Sequence, residues 1–336
     1  MRILCFLALA LAAVAQPRSL SIYWIDTEGG AATLIVTPEG QSLLADTGNA
    51  GNDDRDAKRI AAVAKEAGLT KLDFVLITHF HLDHVGGVGA LAKLIPIGRF
   101  LDHGDSMELG NPRDAELWKI YQTVAAGKRT TLKPGDKLPL RGVESVVVTS
   151  NGATIAKPLD DGGPNAFCAG AKQHDPDTTE NQRSLGFLLT YGKFKFLDLG
   201  DLTWDKEMEL ACPVNKLGTV TLLQATHHGF YRDYSGAPAH VWALKPQVVV
   251  ANNGPQKGMQ ESAWETISKI KGLEGLWQVH LALGSDAAHN TAPDQIANLE
   301  PTAECRGHWL KASVGSDGKF TLTNSRNSFS KSYTAR

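Results

Sequence analysis

The short segment HFHLDH concentrates the side chains best suited to hold a metal ion. Within six positions it carries His79, His81, Asp83 and His84. Neutral imidazole nitrogens and carboxylate oxygens suit zinc, and they also suit iron or manganese. Side chains two positions apart in an extended segment point the same way, so His79 and His81 can hold one ion together. Three core histidines satisfied by backbone carbonyls would be the alternative, and the density of the motif argues against it.

The residues around this motif predict how it is positioned. The apolar run LDFVLIT before His79 is typical of a buried strand, and Gly86 and Gly87 predict a turn into a helix. Once the chain turns, Asp83 and His84 face a position next to the one held by His79 and His81. The motif therefore sits at the end of a strand, with room for two neighbouring ions.

Composition limits the class of protein. The chain has 336 residues, 42% hydrophobic and 21% charged, with a formal net charge of −2, which is ordinary for a globular protein. The absence of a basic excess argues against tight non-specific nucleic-acid binding. We expect a small-molecule substrate and no transmembrane segment in the mature chain, and the oligomeric state stays open.

The N-terminus has the pattern of a cleaved export signal. Arg2 precedes the apolar stretch 3–14, and Ala13-Val14-Ala15 forms a small-residue cleavage site. We therefore expect residues 1–15 to be a signal peptide, and the mature protein, from Gln16, to be periplasmic or secreted. Cys168, Cys212 and Cys305 then remain, an odd number that allows at most one internal disulfide. The sequence does not say which cysteine is left over.

Short strands that end in polar or glycine residues occur in both halves of the mature chain. We expect the mature chain, residues 16–336, to form a single domain. Short apolar strands precede the helix that begins near Asp53 or Asp54, and the tail from about His308 predicts a closing pair of strands. Between the halves, residues 102–182 are rich in Gly, Asp, Pro and Asn. We expect this insert to form long loops with one helix at 114–124, bordering a substrate cleft.

The motif HFHLDH resembles the HxHxDH signature of the metallo-β-lactamase superfamily. LLADTG before it, FLDLGD ending at Asp201, and ATHHG containing His227 resemble further marks of that family in the family's order. The resemblance implies an α+β fold, a four-layer αββα sandwich with the metals at one edge between the sheets. It implies that Asp201 bridges two divalent ions, most simply zinc, with manganese or iron as alternatives. His227 would be the last ligand.

Within the superfamily, NQRSLGFLLTYGKFKFLDLGD and THHG resemble the hydrolase domain of ComEC and secreted phosphorylcholine esterases. The resemblance implies an exported hydrolase of phosphoesters that uses a metal-activated hydroxide. A lactone or β-lactam hydrolase on the same scaffold is the alternative, and a non-catalytic metal- or ligand-binding protein is a third. Zinc-cysteine β-lactamases carry a cysteine where this chain has Asp201, which argues against β-lactams.

The resemblance also implies roles for individual residues. Asp83 would orient the nucleophile as well as bind metal. His228 would donate a proton to the leaving group, unless it only supports its neighbour or is exposed. Tyr231, with Tyr234 beside it, would lie near the substrate, and Asn181 would hydrogen-bond a bound water or substrate oxygen.

One ligand expected from the family is missing. The superfamily usually supplies a third histidine to the first metal about twenty residues before the bridging aspartate, and that position falls at Glu180-Asn181. We expect water to complete the site beside His79, His81 and Asp201. Otherwise Glu180, Asn181, or His174 or His103 from a loop supplies the ligand.

Overall fold

Two β-sheets packed face to face form the centre of the protein, and helices cover the outer face of each sheet. The structure is a computed structural model that describes residues 19–231, 234–301 and 305–336. The expected signal peptide, residues 1–15, lies outside these ranges. Among the described residues, no helix is both long and apolar enough to cross a membrane.

The strands of the first half and of the intervening segment follow in chain order: β1 (Leu20–Trp24), β2 (Thr33–Val36), β3 (Ser42–Ala45), β4 (Leu72–Leu76), β5 (Ile97–Asp102), β6 (Arg129–Thr131), β7 (Glu144–Ser150), β8 (Ala153–Thr154) and β9 (Gly163–Pro164). The strands of the second half are β10 (Gly186–Tyr191), β11 (Phe194–Asp198), β12 (Val214–Asn215), β13 (Leu222–Gln224), β14 (Val248–Ala251), β15 (Gly275–His280), β16 (Ile296–Asn298), β17 (Leu310–Val314), β18 (Lys319–Asn324) and β19 (Ser330–Thr334). The helices are α1 (Arg55–Glu66), α2 (Leu82–Val85), α3 (Val88–Leu94), α4 (Pro112–Val124), α5 (Trp204–Ala211), α6 (Pro238–Leu244) and α7 (Glu261–Ser268).

The two sheets have mixed topology. Over the described residues, the first sheet has the order β19-β18-β17-β1-β2-β3-β4-β5-β6 and the second the order β16-β15-β14-β13-β11-β10-β7-β8. Strands β3 to β6 run parallel, and so do β11, β13, β14, β15 and β16. Because β1 pairs antiparallel with β2, and β2 with β3, β1 runs in the same direction as β3 and β4.

Three apolar clusters define the four layers. The central cluster joins the facing surfaces of both sheets, where Trp24 of β1 meets Phe196 of β11 at 5.8 Å between ring centroids. A second cluster packs α1, α3 and α4 on the first sheet, and a third packs α5, α6 and α7 on the second. The expected αββα sandwich is therefore confirmed, since each sheet buries one face on its partner and the other under helices.

The prediction of a loop-rich insert at 102–182 is wrong in part. The helix expected at 114–124 is present as α4, but β6 extends the first sheet and β7 pairs with β10 in the second. The segment ESVVVTS that forms β7 is rich in β-branched residues, which favour a strand. The closing strands are β17 and β18, and β19 adds a third.

One disulfide forms among the described cysteines. Cys168 pairs with Cys212, and Cys305 is left as a free thiol. The sequence allows one disulfide without identifying its cysteines, and the structure shows that it joins Cys168 and Cys212.

Candidate metal centre

The HxHxDH segment leaves the carboxyl end of β4 and turns sharply into α2. His81 is extended, with φ −72° and ψ 155°, and α2 begins at the next residue. A side chain at Gly86 would place its Cβ 2.2 Å from the carbonyl oxygen of Leu82, and one at Gly87 would come within 2.1 Å of the oxygen of Thr47. The two glycines are therefore required by close backbone approach, and they fix how the motif faces the sheet edge.

Four side chains from three segments converge in one group. The ligand atoms of Asp83, His84, Asp201 and His228 all lie within 4.8 Å of one another. His84 Nε2 is 3.2 Å from Asp201 Oδ2, 3.2 Å from His228 Nε2 and 3.3 Å from Asp83 Oδ2. Two imidazole nitrogens and two carboxylates at this spacing match the donor set of a divalent cation such as zinc.

A second set of imidazoles lies beside the first. His79 Nε2 and His81 Nδ1 are 3.1 Å apart, and the rings of His79 and His84 are 4.0 Å apart. His227 Nε2 lies 3.3 Å from Asp201 Oδ2, the oxygen that also faces His84. The carboxylate of Asp201 is thus placed between two groups of histidines, as a bridging ligand would be.

The opposite nitrogen of every one of these histidines has a partner that fixes the tautomer. Thr78 Oγ1 donates to Asp46 and so accepts from His79, just as Ser235 Oγ donates to Leu202 O and accepts from His227. Carboxylates or a carbonyl accept from the others: Asp46 from His84 at 2.7 Å, Glu108 from His81 at 3.1 Å and the Asn252 carbonyl from His228 at 3.2 Å. Each remaining nitrogen therefore presents a lone pair, an arrangement characteristic of metal-binding histidines.

The electrostatics of the group also match a cation. Although burial opposes it, the carboxylates of Asp201, Asp46 and Asp83 raise the pKa of His84 well above its usual range. Burial would raise the pKa of Asp201, but the surrounding imidazoles, His227 first, hold it well below the usual range. Burial lowers the pKa of His227 to about 4. Asp201 therefore favours its ionised form, and His227 its neutral form, as ligands of a cation must.

His228 occupies the place that the prediction gave to His227. The sequence interpretation made His227 the metal ligand beside Asp83 and His84, with His228 as proton donor. In the structure it is His228 that joins this group, with Nε2 3.3 Å from Asp83 Oδ2, while His227 approaches Asp201 from the other side. Both residues have a left-handed backbone, with φ 53° and 58°. This conformation turns the adjacent imidazoles toward the same carboxylate, and strain of this kind is common at functional sites.

The candidates for the missing third ligand are mostly engaged elsewhere. Glu180 Oε1 lies 2.8 Å from His103 Nε2, and its Oε2 accepts from the backbone of Met107. The ring of His174 packs against Trp204 at 4.6 Å. His227, which the sequence interpretation assigned to the other ion, is the imidazole that the structure places beside Asp201. Asn181 Oδ1 is buried without a hydrogen-bond partner among the described residues, so its predicted interaction with water or substrate stays a prediction.

Tyr231 does not line the cleft, which corrects the prediction for this residue. It is 1% exposed and packs in the cluster under the second sheet, because the ring covers Gly236 so closely that no Cβ would fit there. Tyr234 is 51% exposed, and its ring lies 6.3 Å from that of His227. Tyr234 and Phe230, whose ring lies 5.5 Å from that of His227, are therefore the aromatic side chains of this segment that lie beside the metal centre.

Sequence reasoning did not identify two residues of the site. The ammonium of Lys257 is in contact with Asp83 Oδ2, the oxygen that faces His84 and His228. Glu108 joins His81 to the backbone of Glu180. Both lie in loops with no motif around them, so only the spatial arrangement reveals them.

A four-layer αββα sandwich that carries histidines and aspartates at one sheet edge defines a class of metal-binding proteins. A model of the Metallo-beta-lactamase superfamily matches residues 25–160, which include β2 to β8 and the HxHxDH segment. Over these residues the chain is similar to the metallo-β-lactamase superfamily.

Two named hydrolases match shorter segments of the chain. Hydroxyacylglutathione hydrolase from Photobacterium profundum is 29% identical over 116 residues, 34% of this chain and 39% of that protein. The UPF0173 metal-dependent hydrolase from Cupriavidus metallidurans is 36% identical over 76 residues, 23% of this chain and 24% of that protein. The chain thus spans well under half the length of these relatives. The metallo-beta-lactamase fold protein YhfI from Bacillus subtilis superposes with a TM-score of 0.45 at 13% identity, covering 77% of this chain and 96% of that one.

Proposed function

We propose that the protein is an exported hydrolase that uses two divalent metal ions and acts on phosphoesters. The observation that carries the proposal is the placement of Asp201, because its Oδ2 faces one histidine from each group, His84 and His227, while its Oδ1 faces His228. His79, His81 and His227 would hold one ion with Asp201. Asp83, His84 and His228 would hold the other. Zinc suits this set best because imidazole is its main donor.

The ions would supply the central chemistry: when bound, they lower the pKa of a shared water toward neutrality and polarise the oxygen of the scissile group. The chain's own residues orient these parts. Asp83 would accept a hydrogen bond from the nucleophile as well as bind metal, since its Oδ2 lies between His84 and His228. Asn181 Oδ1 would accept a hydrogen bond from water or substrate.

An anionic substrate is supported by Lys257. Its ammonium lies in contact with Asp83 at the edge of the site and keeps a third of its side-chain surface exposed. A lysine in this position can bind a phosphoryl oxygen and stabilise the negative charge that develops on it. A carbonyl substrate, either a lactone or a thioester, is the alternative, and the name of the Photobacterium relative favours it.

A substrate panel with matched variants tests the proposal. Metal-stripped protein and Asp201→Asn should lose activity toward bis-p-nitrophenyl phosphate by several orders of magnitude, and added zinc should restore only the wild type. Asp205→Asn, in the half-buried first turn of α5, is the control. Turnover by protein shown to lack metal would contradict the metal-dependent reaction, and turnover of only lactones or thioesters would select the alternative substrate class.

Export is proposed from the N-terminal pattern alone. Protein recovered from the periplasm or medium of its native host should begin at Gln16, because the small-residue site precedes it. N-terminal sequencing checks this, and secreted protein that retains Met1 would contradict it.

A further inference from the structure

A second group of metal-binding side chains lies outside the centre described above. The ligand atoms of Asp26, His280 and Cys305 are all within 4.8 Å of one another. Cys305 Sγ lies 3.0 Å from Asp26 Oδ2, and His280 Nε2 lies 4.0 Å from the same oxygen. A thiol, an imidazole and a carboxylate directed at one point form a donor set that suits zinc.

The topology explains why these residues meet. Asp26 follows β1 in the first sheet, and His280 ends β15 in the second. Both strands point their carboxyl ends toward the edge that carries the proposed catalytic metals. Neighbouring strands are about 4.8 Å apart, so β15, two positions from β13, lies roughly 10 Å from the strand that leads to His227. The two groups are therefore separate sites along one edge.

His280 gives independent support for a ligand. It is 1% exposed, and neither of its ring nitrogens has a hydrogen-bond partner among the described residues. Leaving a buried polar group unpaired costs about 1–3 kcal/mol, so such a group usually has a partner. With Nε2 directed at a carboxylate oxygen 4.0 Å away, a cation between the two would satisfy both.

We propose that Asp26, His280 and Cys305 bind a zinc ion, with water as the fourth ligand. On binding, the Cys305 thiol loses its proton to solvent and coordinates as a thiolate. The carboxylate of Asp26 and this thiolate then balance the two positive charges of the ion. Three protein ligands and a water complete a tetrahedral site.

Arg59 is compatible with this ion although it lies beside Asp26. Its Nη1 is 3.0 Å from Asp26 Oδ2, but the same nitrogen is 3.1 Å from Glu28 Oε1, and Nη2 donates to the carbonyl oxygen of Cys305 at 2.9 Å. When Asp26 coordinates the ion, the guanidinium keeps the Glu28 carboxylate as counter-charge. Asp26 and Cys305 then balance the ion, and Glu28 balances Arg59.

The ion would stabilise the backbone segment that contacts the carbonyl oxygen of Asp83. The segment after Asp26 leads to Gly30, where a Cβ would lie 2.6 Å from the carbonyl oxygen of Asp83, and the amide of Ala31 donates to that oxygen at 3.0 Å. Cys305 comes from the chain before β17. An ion held by all three residues would thus connect the C-terminal part to the segment that contacts Asp83.

Cobalt absorption distinguishes this site from the catalytic one. Co²⁺ bound by a thiolate gives a charge-transfer band in the near ultraviolet, which imidazole and carboxylate ligands do not give. Cys168 and Cys212 are paired with each other, so Cys305 is the available thiol among the described residues. We expect the band when Co²⁺ is titrated into stripped mature protein, residues 16–336, which lacks Cys5. We expect its loss in Cys305→Ser, and one metal equivalent fewer in that variant by elemental analysis.

Asp201→Asn serves as the matched control, because it removes the bridging ligand of the catalytic centre and should retain the thiolate band. If the catalytic centre fails to bind metal while the band is present, the proposed function is wrong and this inference stands. Wild-type protein saturated with cobalt but without the band would overturn the inference, as would a band that persists in Cys305→Ser.

Discussion

Asp46 should control the affinity of one metal ion without touching it. Its carboxylate is 2% exposed and accepts from the amide of Thr78, from the hydroxyl of Thr78 and from His84 Nδ1, at 2.7–2.8 Å. The bond from His84 fixes the tautomer that leaves Nε2 free for metal. Asp46→Asn keeps the size of the side chain but removes the negative charge, and its amide nitrogen cannot accept.

The size of the effect follows from that bond. A hydrogen bond to a charged group contributes about 1.5–3 kcal/mol, and about 1.4 kcal/mol corresponds to a tenfold change in affinity. The ion held by Asp83, His84 and His228 should therefore bind about 10- to 100-fold more weakly, within the range for partners of metal-binding histidines. The ion held by His79, His81 and His227 should change less, because Asp46 reaches His79 only through the hydroxyl of Thr78.

Zinc titration against a competing chelator measures the two affinities separately. Asp73→Asn is the matched control, since Asp73 accepts from the Ser42 amide at 3.0 Å but lies near the opposite end of β4. Circular dichroism should show that both variants are folded. Two unchanged affinities in Asp46→Asn would refute the role of this carboxylate, and an equal loss at both sites would refute the assignment of His84 to one ion.

Three further predictions follow from single side chains. Lys257→Ala should lower kcat/KM for bis-p-nitrophenyl phosphate about 10- to 100-fold, because it removes a charge-assisted hydrogen bond to the substrate. An unchanged kcat/KM would remove the support for an anionic substrate. Burial raises the pKa of Glu207 to about 8 from an ordinary 4.5, so the folded state holds a proton that the unfolded chain releases. The free energy of unfolding should therefore fall by up to about 5 kcal/mol as pH rises from 4.5 to 8. Denaturant unfolding of Glu207→Gln should show a weaker pH dependence, and a dependence identical to that of the wild type would contradict this. Gly87→Ala should lower the free energy of unfolding by about 1–3 kcal/mol, because its Cβ meets Thr47 O, whereas Gly110→Ala, with open space around it, should not; equal thermal stability of the two would contradict the close approach.

The sequence identified those parts of the fold and site that depend on local pattern. The apolar run before His79 predicts β4, the glycines predict the turn, and the density of imidazoles and carboxylates predicts metal binding, because each signal lies within a few neighbouring positions. The αββα architecture came from the family resemblance. By contrast, the sequence predicts a loop where the seven-residue strand β7 lies, because the residues around it are polar and glycine-rich.

Other features depend on contacts between distant parts of the chain. Lys257 is 174 residues from Asp83, and Glu108 is 27 residues from His81, so no local spacing brings either pair together. Tyr231 follows the histidine pair closely in sequence, which suggested a place in the cleft. The chain turns at Gly229 and buries the tyrosine ring against Gly236 instead.

The histidine pair shows why a residue's role could not be assigned from the motif. In an ordinary extended or helical backbone, adjacent side chains point in different directions, so only one of two neighbours would reach a common ligand. At His227 and His228 both backbones are left-handed, which costs about 1–3 kcal/mol at each residue. Hydrogen bonds that the two rings donate to Ser235 Oγ and to the Asn252 carbonyl then hold them against opposite oxygens of Asp201. In the proposed centre this strained turn would supply one histidine to each ion, so that the usual histidine near Glu180 would not be needed.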